Sequence, residues 1–224
     1  VLMIKISRLS IAILMLTALG CSESNDPIKE VKSPSPAETV KEEVVSQSDN
    51  QTNYKEGVDY RVVSNINVGD LEPPFLVEYF WLSCGHCQKL EKPLNEFKAK
   101  NPEVGFIRKH AVLGERWVMD ARLYYALEET NNSQHFDEFF GLYMQGMTEE
   151  KFNQFFTKNN IDKEAFLEVA SSSESILAQL KENLKEMADN KMTSVPGIVV
   201  NGKYLVTKSH GDYFDLVKYL LTKK

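Results

Sequence analysis

Apolar and polar positions recur with two distinct periods from about residue 57 onward, and these periods mark out the elements. "VDYRVV" (58–63) reads as a strand. "PFLVEYFWL" (74–82) is apolar on both faces except for Glu78, the pattern of a central strand covered from both sides. From Gly85 to Lys100 the period becomes helical, with Leu90, Leu94 and Phe97 on one face and Pro93 predicting a kink. "VGFIRKHAVL" (104–113) is a further strand. Helical segments follow near 115–129, 134–145, 149–158, 162–170 and 173–190. Their aromatics (Phe136, Phe139, Phe140, Tyr143, Phe152, Phe155, Phe156) fall at helical spacing and are predicted to be core before groove. Strand character returns at "GIVVNGKYLV" (197–206), where Asn201-Gly202 between apolar runs predicts a type I′ hairpin. "GDYFDLVKYLLTK" closes the chain as an amphipathic helix opened by Asp212 or a neighbour.

The order is β, β, α, β, a block of helices, a β-hairpin and α. An isolated hairpin is marginal in water, so strands on both sides of the helical block must complete one sheet. The prediction is a thioredoxin-like α/β fold with an inserted all-helical domain. Residues 57–113 and 192–224 form the thioredoxin-like part, and 114–191 form the insertion.

Residues 1–21, "VLMIKISRLSIAILMLTALGC", change where this domain is expected to act. Lys5 and Arg8 precede an apolar run from Leu9 to Leu19, too short to span a bilayer comfortably but suited to a secretory signal. Val1-Leu2 ahead of Met3 points to an alternative start codon or an over-extended reading frame. The ending "TALGC" resembles a bacterial lipoprotein signal cleaved before Cys21, which would be lipidated and hold the chain to a membrane facing the periplasm. Residues 22–56 carry eight acids against four lysines and two Ser-Pro steps. Such a segment buries too little apolar surface to offset its ordering entropy, so it is predicted to be a disordered acidic tether. Its root-mean-square reach is about 30–35 Å. The net charge of −6 favours neither a nucleic-acid face nor a polybasic membrane patch.

An exported chain with three cysteines puts weight on "SCGHCQK". Cys84 follows a strand and opens a helix, where unpaired N–H groups and the helix dipole stabilise a thiolate. Cysteines so placed ionise at about 3.5–7.5. Cys87 lies one turn further on the same face, able to attack a mixed disulfide at Cys84, and His86 adds an electropositive group beside the sulfur. A closed zinc site needs four ligands, and the histidines available (His86, His110, His135, His210) follow no second paired spacing. Glu78, an acid within an apolar strand, is costly unless paired or protonated.

"VEYFWLSCGHCQKLEKPL", "FIRKHAVLGERWVMDARLYYAL" and "SVPGIVVNGKYLV" together resemble the DsbA-type thiol:disulfide interchange proteins, over roughly residues 57–224. The resemblance implies that Cys84 is the exposed nucleophile and Cys87 the resolving cysteine. It places Pro196 in a cis-proline loop packed on the dithiol, with the Val195 backbone offered to a substrate strand. It sets Glu78 beneath the dithiol near a lysine matched by Lys109, where it helps move the proton of the buried cysteine. Gly85-His86 differs from the proline-histidine of the best-known members and matches the eukaryotic disulfide isomerases. The function read is an exported oxidoreductase that donates the Cys84–Cys87 disulfide to reduced or unfolded exported proteins. It would use no cofactor beyond that disulfide and be reoxidised by a quinone-linked membrane partner. The alternatives are a disulfide reductase or isomerase, and a non-catalytic adaptor holding copper or zinc on the same pair.

Overall fold

The computed structural model describes residues 54–207 and 213–223, all within the unit Asn50–Lys224. The predicted signal, Cys21, the tether as far as residue 53, His210 and Asp212 lie outside them. The strands are β1 (Tyr60–Val62), β2 (Phe75–Phe80), β3 (Gly105–His110), β4 (Gly197–Val200) and β5 (Tyr204–Val206). They form one sheet in the order β1-β5-β4-β2-β3. β2 and β3 are parallel, and the other neighbours are antiparallel. Parallel neighbours need a crossover, which α1 (Gly85–Lys100) supplies. Helices α2 (Glu115–Glu129), α3 (Phe136–Met144), α4 (Glu149–Lys158), α5 (Lys163–Ser172) and α6 (Glu174–Asp189) lie between β3 and β4. α7 (Tyr213–Thr222) closes the chain.

β2 is buried along its whole length, Glu78 included, as apolar residues on both of its faces predict. Leu94 and Phe97 of α1 pack with Leu76, Ile198 and Val200 on one side of the sheet, and α1 runs through Pro93 without a break. In the helical block, Thr148, Asp162 and Ser173 accept the N–H groups of Lys151, Ala165 and Ile176 at 3.2, 3.0 and 3.2 Å. Each is a side-chain cap three residues ahead of its donor, fixing where a helix begins. Phe139, Phe140, Phe155 and Phe156 are buried in one cluster with Phe80, Leu82, Cys84 and Cys87. These four aromatics are core, with Phe136, Tyr143 and Phe152 partly buried against them, and the sulfur pair rests on that core.

The boundaries differ for physical reasons. Ordered packing begins ahead of residue 57, since the Tyr54 ring lies 5.3 Å from that of Tyr219. β1 is only three residues because Val58 sits in an exposed turn. β3 stops at His110, although Ala111 and Val112 are buried. The apolar signal there reports burial, not strand pairing. At the hairpin, Asn201 and Gly202 take φ of 51° and 66°, and the Lys203 N–H reaches the Val200 carbonyl at 3.0 Å, as a type I′ turn requires. Val200 pairs with Tyr204, however, so the connection holds one more residue than the two-residue form.

On the face of β2 away from Glu78, Lys109 Nζ lies 2.7 Å from both carboxylate oxygens of Glu186. The Tyr79 hydroxyl and the Asn67 N–H donate to the same carboxylate at 2.5 and 2.7 Å. This buried pair ties β3 to α6. Lys109→Met would leave a buried carboxylate without its counter-charge, and we expect a stability loss of about 3–5 kcal/mol in urea unfolding. Lys109→Met/Glu186→Gln, with no charge left unpaired, is expected to recover most of it. A double variant as unstable as the single one would contradict this account.

Candidate active site

β2 delivers the chain to the N-terminus of α1 through Trp81–Ser83, and Cys84 is the N-cap. Its backbone is extended (φ −86°, ψ 110°), and its sulfur accepts the Cys87 N–H at 3.2 Å. A sulfur here occupies the place a serine or aspartate oxygen takes in an ordinary cap. The Cys84 N–H is tied to the Trp81 carbonyl at 2.9 Å. Cys87, one turn on, is fully buried, while Cys84 keeps 8% of its surface exposed. His86 is exposed between them. Both cysteines are free thiols.

Because β4 runs antiparallel to β2, with Gly197 opposite Tyr79, its start meets the end of β2. Val195 and Pro196 therefore come beside the dithiol. Their peptide bond is cis, and the Val195 carbonyl lies 3.8 Å from Cys84 Sγ. Sequence order alone keeps these residues more than a hundred positions apart, and the sheet brings them together.

The two thiols are driven apart. Cys84 is lowered to about 6, first by the hydrogen bond from the Cys87 side chain, then by the backbone N–H groups of Cys87 and His86 and the His86 charge; burial opposes them. Cys87 is pushed far up, first by giving its hydrogen bond to Cys84, then by burial, with a smaller push from the charges of Cys84 and Glu78.

Glu78 is raised by burial, which outweighs the lowering by Arg108. Its partner is a correction to the expectation from sequence. Arg108 Nε lies 2.7 Å from the Glu78 carboxylate, and Arg108 Nη2 donates to both oxygens of Glu91 on α1 at 3.1 and 2.8 Å. Lys109 is on the other face. In the β2–β3 register Glu78 stands opposite Arg108 and Tyr79 opposite Lys109, and a one-residue step along a strand reverses the face.

Asp120 of α2 was not singled out by the sequence. It is buried and accepts from Trp81 Nε1 at 2.6 Å, Ser83 Oγ at 2.9 Å and the Tyr143 hydroxyl at 3.1 Å. Trp81 also stacks on Trp117 at 4.2 Å. Asp120 thus fastens the turn before Cys84 to α2 and α3. The one available signal was an acid inside the apolar run "WVMDARLYYAL". Beside it a cleft of about 800 Å³ opens next to Gly85 and Gln88. Among the described residues, no group of three or more His, Cys, Asp or Glu side chains is placed to hold a metal ion.

A family model described as Thioredoxin matches residues 62–218. The chain is 33% identical over 135 residues to the thiol:disulfide interchange protein DsbA of Azotobacter vinelandii, covering 58% of this chain and 63% of that protein, a little under two thirds of its length. It is 29% identical over 167 residues to the DsbA of Pseudomonas aeruginosa, covering 72% and 78%. A crystal structure of Pseudomonas aeruginosa DsbA superposes with a TM-score of 0.63 at 27% identity, covering 75% of this chain and 93% of that one. The helix that carries Cys84, the buried Cys87 thiol and the proline loop facing them lie within the matched region and resemble the DsbA-type thiol:disulfide interchange proteins, and the chain belongs to the thioredoxin family.

Proposed function

We propose that the chain is an exported oxidant that donates its Cys84–Cys87 disulfide to reduced, folding proteins. The observation that carries this reading is the placement of the pair, Cys84 as N-cap with its sulfur accepting the Cys87 N–H and Cys87 fully buried, which drives the two thiols apart. Stabilising one thiolate favours the dithiol over the disulfide, so the disulfide is readily given away. A substrate thiolate attacks Cys84 Sγ, the Cys84–Cys87 bond breaks, and Cys87 leaves as a thiolate that takes up a proton. A second substrate thiolate then attacks its own sulfur in the mixed disulfide and releases the Cys84 thiolate. The substrate loses two electrons and the pair gains them. His86 adds positive charge beside the leaving sulfur. Val195 and Pro196 form the edge against which the substrate chain lies, and Glu78 relays the Cys87 proton while Arg108 limits how far its carboxyl rises.

The pair's own disulfide serves as the redox group, and a quinone-linked membrane protein restores it. The periplasm is the setting, with a lipid on Cys21 as anchor; among the described residues no helix is long and apolar enough to cross a membrane. Mass spectrometry of membrane-extracted protein is expected to find diacylglycerol on Cys21. A product starting at another residue, without lipid, rejects the anchor and leaves the chemistry untouched.

Thiolate absorbance is expected to show one transition near pH 6 from Cys84 and none from Cys87 below pH 9. A Cys84 value depressed from an unfolded ~8.5 stabilises the reduced fold increasingly as pH rises from 6 to about 8.5, and that gain is lost as pH falls through 6. Above about 8.5 the raised Cys87 value acts in the opposite sense. The melting temperature of the reduced form, relative to the disulfide form, should therefore climb between pH 6 and 8. A flat difference over that window would count against the thiolate.

Glu78→Gln is expected to keep the fold and the Cys84 transition while slowing disulfide exchange at least about ten-fold, with a changed rate profile between pH 5 and 8. Stopped-flow exchange decides this, and an unaltered profile would make Glu78 purely structural. The oxidant reading itself is tested by incubating the disulfide form with a reduced, unfolded protein. Stoichiometric transfer supports it, and failure to transfer while the dithiol form reduces disulfides would make the chain a reductase.

A further inference from the structure

We propose that His110 is a positioning residue for the dithiol. Its imidazole is spliced into the β2–β3 ladder where the strands part, and it holds the turn that carries Cys84. This deepens the function proposed above and rests on Cys84 being the nucleophile.

The argument starts from the ladder. Ala111 N–H donates to the Phe80 carbonyl at 2.7 Å, the last direct bond at this end of the pair. In a regular parallel ladder the next bond would run from Leu82 N–H to the Ala111 carbonyl. The structure shows a ring in its place. Leu82 N–H donates to His110 Nε2 at 3.2 Å, and His110 Nδ1 lies 2.8 Å from the Ala111 carbonyl. A neutral imidazole protonated on Nδ1 serves both groups, donating from one nitrogen and accepting at the other. The ring thus spaces the strand ends apart while leaving no ladder group unpaired.

That spacing matters because Leu82 is fully buried, so water cannot replace the bond to its N–H. The rest of the turn is held in the same way. The Leu82 carbonyl accepts Gln88 Nε2 at 3.0 Å, and the Trp81 carbonyl accepts the Cys84 N–H at 2.9 Å. His110 is fixed in turn from α2 and α6. Its N–H reaches the Tyr125 hydroxyl at 3.1 Å, and Asn183 Nδ2 donates to its carbonyl at 3.0 Å and to the same hydroxyl at 2.6 Å. The ring also meets Phe80 edge-on at 5.0 Å. A rigid line therefore runs from α2 and α6, through the imidazole, to the peptide two residues before the nucleophile. Burial lowers the ring to about 3, so it stays neutral wherever the dithiol reacts. Removing the ring lets the strand ends close or leaves a buried donor bare, and either result displaces Cys84 from the Cys87 N–H.

Nitrogen-15 NMR of the histidine rings in the wild-type chain is the first test, and it does not depend on turnover. His110 is expected as the neutral Nδ1–H tautomer from pH 7 down to 5; an Nε2–H tautomer or an imidazolium at pH 6 overturns the proposal. The second test compares His110→Phe, which has neither donor nor acceptor, with His110→Gln, whose amide has both. In His110→Phe the Cys84 transition is expected to rise to about 8, a roughly ten-fold loss of thiolate at pH 7, with His110→Gln within about two-fold of wild type. A His110→Phe variant that melts earlier yet keeps the wild-type Cys84 titration and exchange rate shows a merely structural ring and rejects the positioning role. If neither variant folds, the wild-type tautomer decides. A correct tautomer with failed substrate oxidation would instead point to an error in the proposed function.

Discussion

One hydrogen-bonded sulfur organises this molecule. Cys84 caps α1, and foremost among the groups that reach its sulfur are the N–H and thiol of Cys87. Both belong to the same turn of helix, so the arrangement survives only while the strand, the turn and the helix hold their relative positions. The asymmetry between the thiols follows directly. The cap position offers unpaired N–H groups and the positive end of the helix dipole, whereas Cys87 is sealed among apolar side chains and has already given its proton to a hydrogen bond. A disulfide can use neither stabilisation, which is why the geometry favours the dithiol.

The rest of the fold serves that junction from two faces of one strand. β2 carries Glu78 on one face, in a row with Arg108 and Glu91 that ends on α1. On the other it carries Tyr79, in a cluster with Lys109 and Glu186 that ends on α6. The Glu78 charge of the first cluster adds a small push to the raised Cys87 thiol, and the second cluster fastens the sheet to the helical block. At the end of the strand, Asp120, Gln88 and His110 take hold of the turn by its side chains and by its backbone. The antiparallel β4 then brings Val195 and Pro196 to the same place.

Much of this was legible in the chain. β2 announced itself through a run that is apolar on both faces apart from Glu78, the helices through their period, and the hairpin through Asn201-Gly202, because each of these signals is local. The dithiol could be placed at a strand-to-helix junction for the same reason. What was missed depends on register or on distance along the chain. Lys109 was matched to Glu78 where Arg108 is the partner, since adjacent residues of a strand point to opposite faces and sequence alone does not say which faces which. His110 was weighed only as a metal ligand, although its ring nitrogens serve Leu82 and Ala111. Asp120 is only one acid inside an apolar helical run until Trp81, Ser83 and Tyr143 are seen to converge on it. The expected start of β1 erred at the exposed Val58, and the expected end of β3 erred where buried apolar residues continue beyond the ladder.

The central claim is that the junction makes the Cys84–Cys87 disulfide an oxidant, and the reduction potential of that pair tests it most directly. Equilibration of the purified chain with glutathione buffers at pH 7 is expected to give a value above about −200 mV, in the oxidising range of thiol:disulfide enzymes. A value at or below about −270 mV, where thioredoxin itself lies, would contradict the account.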